Sequence, residues 1–280
     1  MRRFLVFFSA CVLSTAAQAQ LDLPGATAPA PVGTVSKPQA TSVKPRLHLP
    51  RIAAPATPAD SALAGKTLML NGGKSQIAFT PRDKTVDVSR LLFSGRKISN
   101  SHDECQVDVS GMPLALTSLG KTNGVARFSI PLPACPLSFD VLDGAVLTAG
   151  ESGTCSFKDA DCEVGVAGLW GPAAGEIGPD QVKTIERERM RAERTVREAY
   201  KGLVSSTKDR AVIRGYASDQ AGFSSHREET CRDYIGESRH GFCASRLTEA
   251  RAMTLDAELV VAAAAKEARK KKRAGRSAKE

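Results

Sequence analysis

The chain is predicted to be an α+β protein: an N-terminal antiparallel β-sandwich or barrel-like domain, then a disulfide-clipped bundle of about three helices. Three observations predict it. Residues 63–172 hold short apolar or β-branched segments separated by Gly, Asn and Asp turns, the spacing of an all-β unit. Residues 177–265 carry apolar positions at steps of three and four, the period of amphipathic helices. Between two such helical stretches stand Cys231 and Cys243, placed to tie two helices near one end.

Met1, Arg2 and Arg3, the apolar run Phe4 to Leu13 and the small-residue site Ala17-Gln18-Ala19 follow the order of a secretory signal peptide over residues 1–19. The apolar run is about half of the roughly 20 residues that a membrane span needs, so no transmembrane helix is expected in the mature protein. Phe8-Ser9-Ala10-Cys11 is a poor lipobox, and lipid attachment at Cys11 is the minor alternative to a free periplasmic protein. Export gives the cysteines a meaning, because disulfides persist in oxidising compartments. Of seven cysteines, Cys11 leaves with the signal and six stay. Six allow fifteen pairings; chain order suggests Cys105–Cys135, Cys155–Cys162 and Cys231–Cys243. No CxxC occurs, and His48, His102, His226 and His240 lack ligand spacing with Cys, so no metal is expected.

Residues 20–62 contain eight of the fifteen prolines among Ala, Thr and Val. Such a segment buries too little apolar surface to offset the entropy of ordering it, and is read as a disordered linker. The β-rich domain follows over 63–172. Its candidate strands are Thr67 to Leu70, Gln76 to Phe79, Thr85 to Val88, Gln106 to Val109, Ala126 to Ile130, Ser138 to Leu142 and Ala145 to Leu147. Asn71-Gly72 and Asp143-Gly144 are the strongest hairpin signals, since a type I′ turn needs positive φ at both central residues. A Cys105–Cys135 bridge closing about 30 residues is worth on the order of 3 kcal/mol by chain entropy. Trp170, the only tryptophan, lies just before the helical part; it is expected to plug the contact between domains or, if exposed, to serve as a binding anchor.

The helical domain is placed at 177–265. Pro179 suits the first turn of a helix, and Val182, Ile185, Ala192, Val196, Ala199 and Leu203 form an apolar face interrupted by Arg189. The opposite face interleaves Glu with Lys and Arg, which argues for a solvated surface and against nucleic acid. Asp209 is the N-cap of a second helix running toward Tyr234, stopped by Gly236. Glu237 to Gly241 then form a loop, and a third helix runs from about Phe242 to Lys272. Short connections favour an antiparallel bundle. Residues 266–280 carry eight Lys or Arg and two Glu, a local +6. The formal charge of +9 falls to +7 without Arg2 and Arg3, so the basicity belongs to this tail. It is read as a disordered basic segment or frayed helix end, with Lys270, Lys271, Lys272 and Arg273 available to phospholipid or other envelope phosphates.

Phe223, Arg227 and Cys231 are spaced four apart, as are Cys243, Leu247, Arg251 and Leu255, with Thr248 beside Leu247. Together with Tyr200 these residues resemble the LprI-type lysozyme-inhibitor domain, whose pattern runs aromatic, Arg, Cys, then Cys, Leu, Thr, Arg, Leu. The resemblance covers about a quarter of the chain, residues 192–255, and Phe223 stands where the family usually has Trp. It implies a disulfide-held helical domain that inhibits by binding, with a lysozyme or another envelope protein as partner. In such an inhibitor a rigid loop enters the enzyme's cleft, and here the loop Gly236 to Gly241 offers Arg239 and His240 to the two carboxylates of a glycosidase. No phosphate loop, nucleophile elbow or zinc-protease motif occurs. Neither enzymatic activity nor a cofactor is expected. The alternative function is structural or adhesive, the basic tail resting on an anionic surface.

Overall fold

A computed structural model describes residues 62–277 apart from 84, 110, 112–113 and 149–152. The signal peptide expected at 1–19, with Cys11, and the linker expected at 20–62, except Ala62, lie outside the described residues. The chain is α+β: one antiparallel sheet of twelve strands is followed by the helices.

In chain order the strands are β1 (Thr67–Leu70), β2 (Gln76–Arg82), β3 (Thr85–Lys97), β4 (Glu104–Asp108), β5 (Leu114–Ala115) and β6 (Thr117–Thr122). Then come β7 (Val125–Ile130), β8 (Leu137–Leu142), β9 (Ala145–Thr148), β10 (Thr154–Phe157), β11 (Cys162–Gly165) and β12 (Gly168–Gly171). Across the sheet the order is β10-β11-β3-β2-β1-β12-β9-β8-β7-β6, and β4 and β5 also pair with β3. A sheet this wide curls. Phe79 of β2 meets Phe139 of β8 edge-on with ring centroids 6.2 Å apart, although β1, β12 and β9 lie between their strands in the ladder. The inner face therefore closes on itself around Phe79, Leu91, Phe93, Ile130, Phe139 and Trp170.

Turn chemistry sets the hairpins. Asn71 and Gly72 both have positive φ, 50° and 68°, but pairing resumes only at Ser75, whose carbonyl accepts from Leu70 N–H at 3.0 Å. Asn123 and Gly124, at 51° and 83°, make the two-residue turn between Thr122 and Val125. At Asp143-Gly144 a two-residue turn also joins Leu142 to Ala145, with positive φ at Gly144 alone. Gly95 answers a different need: a Cβ there would stand 2.0 Å from the Glu163 carbonyl oxygen, so β3 passes β11 only without a side chain.

Two of the three expected disulfides are corrected. The bridges are Cys105–Cys162 and Cys135–Cys155, in place of Cys105–Cys135 and Cys155–Cys162; Cys231–Cys243 forms as expected. Cys155 and Cys162 share the β10–β11 hairpin, but Cys155 lies opposite Val164 and Cys162 opposite Phe157. They are diagonal neighbours, and diagonal positions on a sheet lie beyond the reach of a disulfide. Cys162 instead reaches Cys105 on β4, both strands flanking the end of β3.

Four helices follow: α1 (Pro179–Ser206), α2 (Arg210–Arg232), the single turn α3 (Glu237–His240) and α4 (Phe242–Ser277). Pro179 opens α1 after Gly178, whose N–H donates to Gln181 Oε1 at 2.8 Å. Ile185, Ala192, Val196, Ala199 and Leu203 are its buried face. Asp209 caps α2 by accepting from Ala211 N–H at 2.8 Å. The helix ends at Arg232, earlier than Tyr234, and the expected loop Glu237 to Gly241 is mostly the turn α3, held between Gly236 and Gly241, both left-handed. Residues 266–277, read as a disordered segment or a frayed helix end, continue α4 as helix, a little past the expected end near Lys272. Leu259 meets Gly202 and Ser245 meets Ile185, so α1 and α4 run parallel; α2 runs against α4, with Arg227 on Thr248 and Cys231 on Cys243.

The helices cover the outer face of β12, β9, β8 and β7. Val125, Leu142, Ala145 and Leu169 pack there against Ile185, Tyr234, Phe242 and Leu247. This corrects the place of Trp170. Side chains alternate along a strand, so Leu169 faces the helices while Trp170, 1% exposed, faces the inner core, its Nε1–H donating to Thr148 Oγ1 at 3.2 Å. Trp170 is thus neither an interdomain plug nor a binding anchor. Gly171 comes next, where a Cβ would lie 2.5 Å from Phe242 Cε1 and 2.6 Å from the Tyr234 hydroxyl.

Proteolytic mapping of the unreduced protein is expected to recover Cys105 linked to Cys162 and Cys135 linked to Cys155. Peptides joining Cys105 to Cys135 would contradict the strand arrangement.

Candidate functional site

The candidate site lies at the end of the helical layer where Cys231–Cys243, α3 and the N-terminus of α4 meet. A helix start leaves backbone N–H groups unpaired. Glu237 supplies their acceptors: Oε2 takes Cys243 N–H at 2.9 Å and Oε1 takes Ala244 N–H at 2.8 Å. A carboxylate at this end is also favoured by the helix dipole.

His240, expected as a binding residue, is 5% exposed and belongs to the interior. Phe242 N–H donates to its Nδ1 at 3.2 Å, which leaves the proton on Nε2 to donate to the Ile235 carbonyl at 3.0 Å. Tyr234 stands edge-on to the ring at 5.7 Å. The two left-handed glycines fold the four-residue turn so that His240 points inward and Arg239 outward; Ser238 and Arg239 are exposed and His240 is buried. Tyr234 donates its hydroxyl to the Pro172 carbonyl at 2.8 Å, and burial pushes its phenol well above the ordinary value.

The residues that carry the family resemblance converge on the α2–α4 seam. Phe223 has the Arg227 guanidinium 5.5 Å from its ring centroid and that of Arg251 at 5.7 Å. Arg227 Nη1 donates to Thr248 Oγ1 at 3.1 Å, and Arg251 Nε donates to Gln220 Oε1 at 3.3 Å. Leu247, Leu255 and the disulfide are buried beside them, and Tyr200 packs from α1. The cations thus have partners of their own and hold α2 in place.

Two recesses border this seam. One, of about 280 Å³, lies between the sheet and the helices and is lined by Val125, Leu142, Leu147, Phe223 and Leu247 together with Arg251 and His226. The other, of about 440 Å³, lies beside the disulfide and is lined by Arg189, Glu193, Arg227, Glu228, Arg232 and Glu237. Its mixed charges suit a polar protein surface. Among the described residues, no group of three His, Cys, Asp or Glu side chains could hold a metal ion, and no helix is long and apolar enough to cross a membrane.

Sequence reasoning missed Arg246. Its guanidinium lies over Phe242 at 5.2 Å and reaches Glu249 at 2.6 Å, Glu188 at 2.9 Å and Asp143 at 3.8 Å. Burial opposes its charge, but Glu249, Glu188 and Asp143 outweigh burial and hold the guanidinium above its ordinary value. Burial likewise pushes the Glu249 carboxyl up. This cluster joins α1, α4 and the β8–β9 turn. The one signal for it in the sequence is the three-residue spacing of Arg246 and Glu249. Lys270, Lys271 and Lys272, at the far end of α4, are exposed and separate from this site; Arg273 lies in the same helix.

Removing one partner of a buried ion pair leaves the others uncompensated. Arg246→Ala is therefore expected to lower unfolding stability by about 3 kcal/mol or more in urea titration. Tyr234 gives a pH signature. Its folded-state value is raised, so its contribution is complete below pH about 10, where an unfolded tyrosine begins to ionise, and is lost as pH climbs toward the folded value. Thermal melts should fall above that pH, and Tyr234→Phe should flatten the fall.

Comparison with family models, with curated proteins and with solved structures found no match.

Proposed function

We propose that the protein is an exported, non-catalytic binding protein of the cell envelope, of lysozyme-inhibitor type. The observation that carries this reading is covalent. All six cysteines of the described residues are joined, two pairs bracing the sheet and one holding α2 to the start of α4. Full pairing suits an oxidising compartment. It also keeps the surface around α3 from losing much entropy when a partner binds, which is how a preorganised inhibitor gains affinity.

The packing of Phe223 between Arg227 and Arg251, next to the disulfide, supports the likeness to the inhibitor family at the level of a shared helical clip. The contact surface is narrower than Arg239 with His240. With His240 buried, exposed Arg239 at the tip of α3 is the group that meets a glycosidase carboxylate, because an arginine fork binds a carboxylate through two parallel hydrogen bonds.

The test is lysis of a bacterial cell-wall suspension by lysozyme. The mature protein is expected to slow lysis, and Arg239→Glu to raise the concentration needed by roughly tenfold or more, as for a central interface arginine, at unchanged melting temperature. His240→Ala should instead lower the melting temperature. Lysis unaffected across the whole concentration range would remove the inhibitor reading.

A further inference from the structure

The end of α4 is built differently from the rest of the helical layer. α1 stops at Ser206, and the last α4 residues packed into the core they share are Leu259 and Ala262. From Ala263 to Lys272 every residue is exposed. The helix continues to Ser277, so about fifteen residues at 1.5 Å each, roughly 22 Å, extend past the body.

The two sides of this extension follow from the helical period. Met253 and Ala257 meet the β6–β7 turn at Gly124. On the same face, three and four residues onward, come Val260, Val261, Ala264 and Ala268. Beyond the sheet this face is bare: Val260 is 65% exposed and Val261 69%. The other face, which carries Leu255, Leu259 and Ala262 against α1, continues as Lys266, Arg269 and Lys270. Lys272 borders the apolar strip, and Lys271 falls within it at its far end, where its long stem can carry the charge outward. Residues 266–277 hold seven cations against Glu267 alone, a local charge of +6. Among the described residues no acidic group forms an ion pair with Lys266, Arg269, Lys270, Lys271 or Lys272.

We propose that this extension docks on an anionic phospholipid bilayer, lying along the headgroups with its Val/Ala strip toward the lipid and its lysines on phosphate. This goes beyond the inhibitor reading and does not rest on it. Three considerations select the occupant. Clustered cations on a helix are drawn to anionic headgroups, each adding to the attraction, and lysine stems reach around an apolar strip to the charged layer. Residues 256–277 hold no aromatic side chain for base stacking, the feature a single-stranded nucleic-acid site needs. A second copy would bring +6 against +6.

The test is sedimentation of the mature full-length protein with vesicles of phosphatidylcholine alone or mixed with phosphatidylglycerol. Binding is expected to the mixed vesicles only, and to fall as salt shortens the range of the attraction. Replacing Lys270, Lys271 and Lys272 together by Gln should lower the partition coefficient about 100-fold at unchanged melting temperature and unchanged effect on lysozyme. Val260→Asp with Val261→Asp should also weaken it. Three results would overturn the proposal: no binding to mixed vesicles, equal binding to neutral ones, or binding unchanged in the triple variant. A concentration-dependent dimer in sedimentation velocity, abolished by the valine pair, would assign the strip to a second copy instead.

Discussion

The helical layer depends on a close approach at one point of the sheet. Gly171 ends β12 without a side chain, and Tyr234 and Phe242 occupy the space a Cβ would need. Asn71 locks the same place from the other side. Its N–H donates to the Leu169 carbonyl at 2.8 Å, its side chain accepts from Leu169 N–H at 3.2 Å, and its own carbonyl accepts Ile235 N–H at 2.9 Å. The first strand turn, the last strand and the segment between α2 and α3 are thus tied by backbone groups that would be costly to leave unpaired in a buried joint. The position of the disulfide, the turn of α3 and the direction of α4 all follow from that joint.

Strand β12 accordingly has two interiors. Trp170 completes the core inside the curled sheet, and Leu169 completes the one beneath the helices. The buried Arg246 cluster adds a polar tie at the same layer boundary. Apolar packing alone sets neither the rotation nor the height of a helix on a sheet with much precision. Charged groups that must find one another in a low-dielectric site can add that specificity, as buried polar groups do in some proteins.

The sequence carried the local structure well and the long-range structure poorly. Thr67 to Leu70 is a strand with the bounds its residues suggest, Pro179 and Asp209 open the first two helices, and Leu203 ends a buried face that its spacing reveals. Each depends on neighbours within a few positions. The Gly-rich β12 and the pair β10–β11 were not seen, because Gly168, Gly171 and Cys162 take strand conformation from their partners and not from propensity. Cysteine pairing failed for the same reason: register across the sheet decides which thiols meet. The burial of His240 was hidden too, since a polar residue in a short turn reads as exposed until the left-handed glycines beside it are known to fold it inward.

The two bridges in the sheet are nested, the Cys135–Cys155 link lying wholly within the stretch closed by Cys105–Cys162. Joining thiols in their order of appearance along the chain would connect Cys105 to Cys135 first and produce the wrong crosslink. Reaching the native pattern by that route requires a thiolate to attack an existing bridge and swap partners. The maturation of this protein is then bound to the exchange capacity of its surroundings as well as to their oxidising power.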